Sequence, residues 1–208
     1  MLFVEAFLQS SSVIDWQCDA IQSHAVRLGC GLSSGEDIAR ACFEWVRDEI
    51  GHSGDGRLPG RACSASEVLA SGNGWCFAKS HLLAALLRAH EIPAGFCYQR
   101  LCYDEDGGAH TLHGLNAMYL PDFGWYRADP RGNKHGVDAQ FDPPREKLAW
   151  PIRNEGEIDF PGIYAEPLTG VCGWLEANES YEQALLTLPD PMTLPTPTYS
   201  PVQSDEGS

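Results

Sequence analysis

The chain has 208 residues, a formal net charge of −15, a hydrophobic fraction of 43% and six tryptophans. That length and apolar content suit one globular domain with a sizeable core and exclude a disordered chain. The negative balance excludes nucleic acid and anionic membrane surfaces as partners, and no run reaches the roughly 18 apolar residues of a membrane span.

In chain order, "MLFVEAFLQSSSVIDW" has no basic region and Glu5 interrupts its apolar residues, so it does not read as a signal peptide. Its "LFVEAFL" alternates weakly, which predicts an edge strand. Ser34-Gly35-Glu36-Asp37 precedes "IARACFEWVRDEI", in which Ile38, Cys42, Trp45, Val46 and Ile50 recur at helical spacing, with Ser34 as cap. "GHSGDGRLPG" is a loop, and "SASEVLASGNG" is a short helix that begins on capping serines and stops at glycine.

The next helix opens at Cys76, buries Phe77, Leu82, Leu83, Leu86 and Leu87, and ends near His90-Glu91, since Pro93 cannot continue it. "AGFCYQRLCY" reads as a strand and "DEDGGAH" as a turn. "LHGLNAMYL" and "GWYRADP" form a hairpin joined through Pro121-Asp122-Phe123-Gly124. "EGEIDFPGIY" predicts a further strand, and "SYEQALLTL" a short helix capped by Ser180. Helices followed by antiparallel strands make an α+β arrangement. Residues 1–188 read as a single domain with a core over about 36–142, and residues 189–208, rich in proline, as a disordered tail.

The eight cysteines, at 18, 30, 42, 63, 76, 97, 102 and 172, include no close pair of the zinc-ligand type. Without a secretory signal they read as reduced thiols of a cytoplasmic protein, most of them packed as small apolar residues. No calcium-loop pattern occurs, and no cofactor or metal is expected.

Cys76 is the exception. It stands behind Gly72-Asn73-Gly74-Trp75, at the first turn of a helix. The unpaired N–H groups and partial positive charge there stabilise a thiolate, the nucleophilic form of cysteine. They can also hold the oxyanion of a tetrahedral intermediate. The plain alternative is a buried cysteine that happens to start a helix. A nucleophilic thiol needs a base, and the base an orienting partner. His113 starts "HGLNAMYL" and Asp129 ends "GWYRADP", so adjacent strands joined by a short turn bring the two side by side. A strand histidine taken singly is more often structural.

Three ordered blocks resemble the transglutaminase-like superfamily of papain-related cysteine enzymes. "EDIARACFEWVRDEI" is similar to that family's first helix, "ASEVLASGNGWCFAKSHLLAALLRAHEIPAGF" to its nucleophile block, and "HGLNAMYLPDFGWYRADP" to its histidine–aspartate block. The resemblance implies a papain-like α+β core, with the nucleophile helix packed on an antiparallel sheet. It also implies catalytic roles for Cys76, His113 and Asp129. The chain departs from the family pattern at Leu115, Ala117 and Gly95, where tryptophan, glutamate and arginine are usual. Such changes would bear on substrate choice.

His110, three residues before His113, points to the opposite face of its strand. His81 reads as surface or packing, His52 as a loop residue able to border a cleft, and Lys79 as a solvated lysine. Arg131 and Asn133 read as turn residues that could hold Asp129 or rim the site. Two classes of function follow. One is a cysteine enzyme of acyl transfer on a peptide, protein or amide substrate, through a thioester, with hydrolysis ahead of transglutaminase or amine acyltransferase activity. The other is a non-catalytic binding module on the same fold.

Overall fold

The computed structural model describes residues 2–103 and 108–200. The chain begins with a helical turn, α1 (Leu2–Glu5), continued by a 3-10 turn (Ala6–Leu8), where the alternation predicts an edge strand. Phe7 accounts for the difference. It is fully buried beside Cys97, Leu115, Ala117 and Ile163, and its ring stands 4.7 Å from Trp125. Burying one such ring contributes about 1.5–3 kcal/mol, which outweighs a weak local strand preference.

Helix α2 (Asp19–Gly29) follows and was not anticipated, although Ile21, Ala25 and Leu28 fall at helical spacing. Helix α3 (Gly35–Glu49) starts as its cap predicts, with Ser34 Oγ accepting the Asp37 N–H at 3.0 Å. After it come a short strand β1 (Gly51–His52), a single turn α4 (Ser53–Gly56) and α5 (Ala65–Ser71). Ser64 and Glu67 close a reciprocal capping box on α5. Gly72, at φ 66°, reverses the chain in the left-handed region that glycine enters without strain. Strand β2 (Asn73–Gly74) then pairs in parallel with β1, and the chain enters α6 (Cys76–Ala89).

Helix α6 is buried from Cys76 to Arg88. It lies between α2, α3 and α5 on one side and a four-stranded sheet on the other. The sheet contains β3 (Ala94–Cys102), β4 (His110–Leu120) and β5 (Gly124–Ala128). Both pairings are antiparallel, with Ala94 opposite Met118 and Leu120 opposite Gly124 across the predicted turn. A separate hairpin, β6 (Gln140–Asp142) with β7 (Arg145–Lys147), precedes β8 (Ile158–Asp159). The strand predicted over 155–164 is reduced to β8 and an isolated bridge from Tyr164 to Phe96. Sheet order is β5-β4-β3-β8, an α+β architecture with the helix that starts at Cys76 packed on an antiparallel sheet. Helix α7 (Thr169–Ala177) was not anticipated, whereas α8 (Tyr181–Leu186) starts at its predicted cap, Ser180.

Two glycines let α6 approach its neighbours, Gly114 on β4 and Gly74 on β2. A Cβ on Gly114 would lie 2.6 Å from Phe77 Cδ1, and one on Gly74 would lie 2.9 Å from the Ala78 side chain. Asn116 Nδ2 then reaches the Ser80 carbonyl at 3.0 Å, tying β4 to the helix.

Residues 189–200, which the composition places in a disordered tail, run extended against the domain. Leu112 N–H donates to the Pro189 carbonyl at 2.6 Å, and Asp190 pairs with Arg100. The Tyr164 hydroxyl reaches the Pro195 carbonyl at 2.8 Å, and Tyr199 bridges Ile163. The remainder of that tail and most of the predicted turn after Tyr103 lie outside the described residues. Among the described residues no helix is long and apolar enough to cross a membrane.

Candidate active site

The loop before α6 aims Cys76. Register pairs His52 with Gly74, two residues upstream of the cysteine, so β1 and β2 fix the approach of the chain. Trp75 is the N-cap residue, in an extended conformation, and Cys76 is the first helical residue. The first turn carries no acidic residue to offset the positive end of the helix. Cys76 is buried, with 7% exposure. The indole of Trp75 leans on Gly60, where a Cβ would stand 2.1 Å from Nε1. Larger residues at 60 would push the ring into the cleft.

His113 and Asp129 are brought together as their strands predict. His113 Nε2 and Asp129 Oδ2 are 2.8 Å apart. Asp129 has no solvent exposure; its Oδ1 accepts Arg131 N–H and its Oδ2 accepts Ala149 N–H, each at 3.1 Å. Burial would raise this carboxyl, but the neighbouring His113 and the two backbone donors hold it below the ordinary carboxylate range. Cys76 lines the same cleft as His113, near enough for its charge to act on the ring. With Nε2 paired to Asp129, Nδ1 is the ring nitrogen left for another partner. Burial alone would lower the His113 pKa, yet the charges of Asp129 and Cys76 outweigh it and raise the ring to about 10.

Trp150, which sequence reasoning missed, roofs this pair. Its ring stands edge-on to His113, centroids 5.1 Å apart, and the Arg131 guanidinium lies 5.0 Å from its centroid. The adjacent Ala149 N–H is one of the donors on Asp129, so one short segment both orients the carboxylate and shields the His113 ring. Arg131 holds Asp129 through its backbone, while its side chain turns to Asp55 at 2.6 Å. Asn133 staples its own loop through Ala139 and does not line the cleft.

A cleft of about 600 Å³ opens over Cys76 and His113. One wall is aromatic: Trp75 is edge-on to Trp174 at 5.3 Å and stacked with Tyr181 at 6.3 Å. His52 lines the cleft too. His110 instead reaches the Glu155 carbonyl, and His81 is buried against the Cys63 carbonyl and Phe96. Lys79, read as solvated, is fully buried; its ammonium donates to the Arg47 carbonyl at 3.2 Å and to that of Ile50, at the end of α3. The three departures Leu115, Ala117 and Gly95 do not line the cleft. Leu115 and Ala117 pack with Phe7, and a Cβ on Gly95 would stand 2.8 Å from the Phe7 ring.

The other buried thiols differ from Cys76 in their surroundings. Burial pushes Cys42 and Cys97 up to about 12, which leaves them protonated and poorly nucleophilic. The neighbouring Cys172, together with burial, pushes the Cys63 thiol up as well.

A family model described as the transglutaminase-like superfamily matches residues 24–130, just over half of the chain. No curated protein matches the chain in sequence. Among solved structures, a candidate cysteine protease from Cytophaga hutchinsonii is similar at 22% identity and a TM-score of 0.48, over 62% of this chain and 42% of that one. The periplasmic domain of TgpA from Pseudomonas aeruginosa is similar at 18% identity and a TM-score of 0.47, over 62% of this chain and 46% of that one. The chain thus spans less than half the length of either protein.

Proposed function

Since the chain belongs to the transglutaminase-like superfamily, we propose that it is a cysteine-dependent acyl-transfer enzyme that hydrolyses a peptide or amide bond through a thioester. The observation that carries this reading is the placement of His113, 2.8 Å from Asp129 and lining one cleft with Cys76, at the first turn of its helix. The Cys76 thiolate attacks the carbonyl carbon, forming the S–C bond while the carbonyl π pair moves onto oxygen. As the intermediate collapses, His113 gives its proton to the departing nitrogen, the C–N bond breaks and the acyl group stays on sulfur. Water, deprotonated by the now neutral His113, attacks the thioester and releases the acid. Asp129 holds the imidazole in its orientation and stabilises the imidazolium.

The net charge of −15 favours a neutral or basic substrate over an acidic one. The test is a screen of peptide, amide and ester substrates against the wild type and Cys76→Ala, with and without a primary amine. Turnover by the wild type alone, with free acid as product, is the expected result. Acyl–amine product would move the assignment to transglutaminase or amine acyltransferase activity. No turnover, with Cys76 alkylated no faster than the other thiols, would make the protein a binding module.

A further inference from the structure

A second imidazole lines the cleft that holds Cys76 and His113. His52 sits in register with Gly74, at the end of the strand pair that delivers the chain to Cys76. Its Nδ1 accepts the Asp55 N–H at 3.3 Å. Its ring stands edge-on to Trp75, centroids 5.7 Å apart. Gly54 makes room for it: a Cβ there would lie 2.9 Å from His52 Cε1. Only 11% of the side chain is exposed. The ring is therefore held in one pose by a hydrogen bond, an aromatic contact and a glycine.

That pose sets the tautomer. A nitrogen that accepts a backbone N–H carries no proton, so the single ring proton is on Nε2. Burial, reinforced by the positive charge of Arg131, lowers the pKa to about 3, and the ring stays neutral where His113 is charged. Among the described residues nothing accepts from Nε2. Two further donors border the cleft: the backbone N–H of Cys76, at the start of α6 on the residue that carries the sulfur, and the Trp75 indole N–H, which is buried without a partner among the described residues.

We propose that His52 Nε2–H and the Cys76 backbone N–H together form the oxyanion hole, with His52 as its side-chain donor. This rests on the acyl-transfer reading above. The two donors bind the acyl oxygen, which gains a full charge when the Cys76 S–C bond forms and the carbonyl π pair moves onto it. A neutral donor held in place before reaction stabilises that charge without reorganising. Asp55 occupies the Nδ1 side of the ring, through its N–H at 3.3 Å and its carboxylate at 3.7 Å, so Nε2–H is the donor left for the substrate.

The experiment uses p-nitrophenyl acetate and iodoacetamide on the full chain, with labelling of Cys76 followed by peptide mass spectrometry. Acetylation builds a tetrahedral oxyanion, whose collapse expels 4-nitrophenolate with the C–O bonding pair. Alkylation by iodoacetamide is a displacement of iodide and builds no oxyanion. His52→Phe keeps a flat ring but has no donor; it should slow acetylation about 10²–10³-fold, the usual cost of one oxyanion donor. Alkylation of the same protein should stay within about threefold of wild type, because its reactant is the thiolate alone. His52→Gln, whose amide can accept from Asp55 N–H and still donate, should recover most of the acetylation rate. Should His52→Phe fail to fold, the contrast of His52→Gln with His52→Leu is read in the same way. Wild-type acetylation in the variant without a donor would overturn the proposal, as would equal loss in both reactions, which would place His52 with the thiolate. If wild-type Cys76 reacts with neither reagent faster than the other thiols, the acyl-transfer reading falls first.

Discussion

Asp129 holds His113 Nε2 at 2.8 Å from a position with no exposure to solvent, and it accepts two backbone N–H groups at the same time. An asparagine there can keep one oxygen but must turn its NH₂ toward a group that is itself a donor. Asp129→Asn should therefore lower turnover by about 10²–10⁴-fold through loss of the oriented imidazole. It should also cost about 1–3 kcal/mol of stability, because one buried donor loses its acceptor. Steady-state kinetics with a parallel urea titration checks both. Full activity would leave a Cys-His pair in which Asp129 is only a strand-end residue.

His113 is raised to about 10, chiefly against burial, by the charges of Asp129 and Cys76. In the proposed reaction it is the acid that protonates the leaving nitrogen, so it must carry its proton. The rate of amide turnover should hold through neutral pH and fall as pH rises through about 10. In Asp129→Asn the anion that keeps the proton on is gone, so this limb should move to lower pH. A pH profile of kcat/KM for the two proteins, in which the limb stays in place, would dissociate Asp129 from the ionisation of His113.

Lys79 presents the opposite sign. Burial, with the nearby positive Arg131, lowers it from the ordinary 10.5 to about 7. Between these values the unfolded chain binds more protons than the folded one, so the Lys79 contribution to stability rises with pH from about 7 to about 10.5. Below pH 7 the ammonium is kept buried at a cost. Lys79→Met removes that slope while leaving the carbonyls of Arg47 and Ile50 without their donor. The stability difference, wild type minus variant, should therefore grow with pH across this window. A flat difference between pH 6 and 10 by chemical denaturation would mean that Lys79 is hydrated rather than buried.

Gly114 sets the distance between β4 and the first turn of α6. An added methyl would stand 2.6 Å from Phe77 Cδ1, whereas one on Gly35 would meet nothing within 4 Å. Gly114→Ala should destabilise by about 1–3 kcal/mol, the usual cost of overpacking. It should also slow acylation of Cys76, since Phe77 is its neighbour in the chain. Gly35→Ala, at the exposed start of α3, serves as the control and should change neither melting temperature nor acylation. Equal behaviour of the two would show that α6 and β4 have room to separate.

The site's three principal side chains were readable because each rests on local chemistry. Glycine punctuation and helical spacing put Cys76 at a helix start, and a tight turn between two strands puts His113 beside Asp129. The caps at Ser34, Ser64 and Ser180 are likewise contacts of three residues. What lay beyond reach depends on partners distant in the chain. Trp150 meets His113 from 37 positions further along the chain, and nothing adjacent to Trp150 marks it as a roof. Lys79 finds its carbonyls at Arg47 and Ile50 only once α3 and α6 have packed. Weak alternation at "LFVEAFL" favours a strand until Phe7 is drawn into a cluster with residues from 97 to 165. Proline-rich composition reads as a tail until Arg100 offers Asp190 an ion pair and β4 offers Pro189 an N–H. Neighbouring residues alone determined that Cys76 starts a helix and that His113 and Asp129 stand side by side on adjacent strands. The roof, the buried ammonium and the donor tautomer of His52 were decided by packing, because a side chain's protonation and direction depend on the groups that surround it in space.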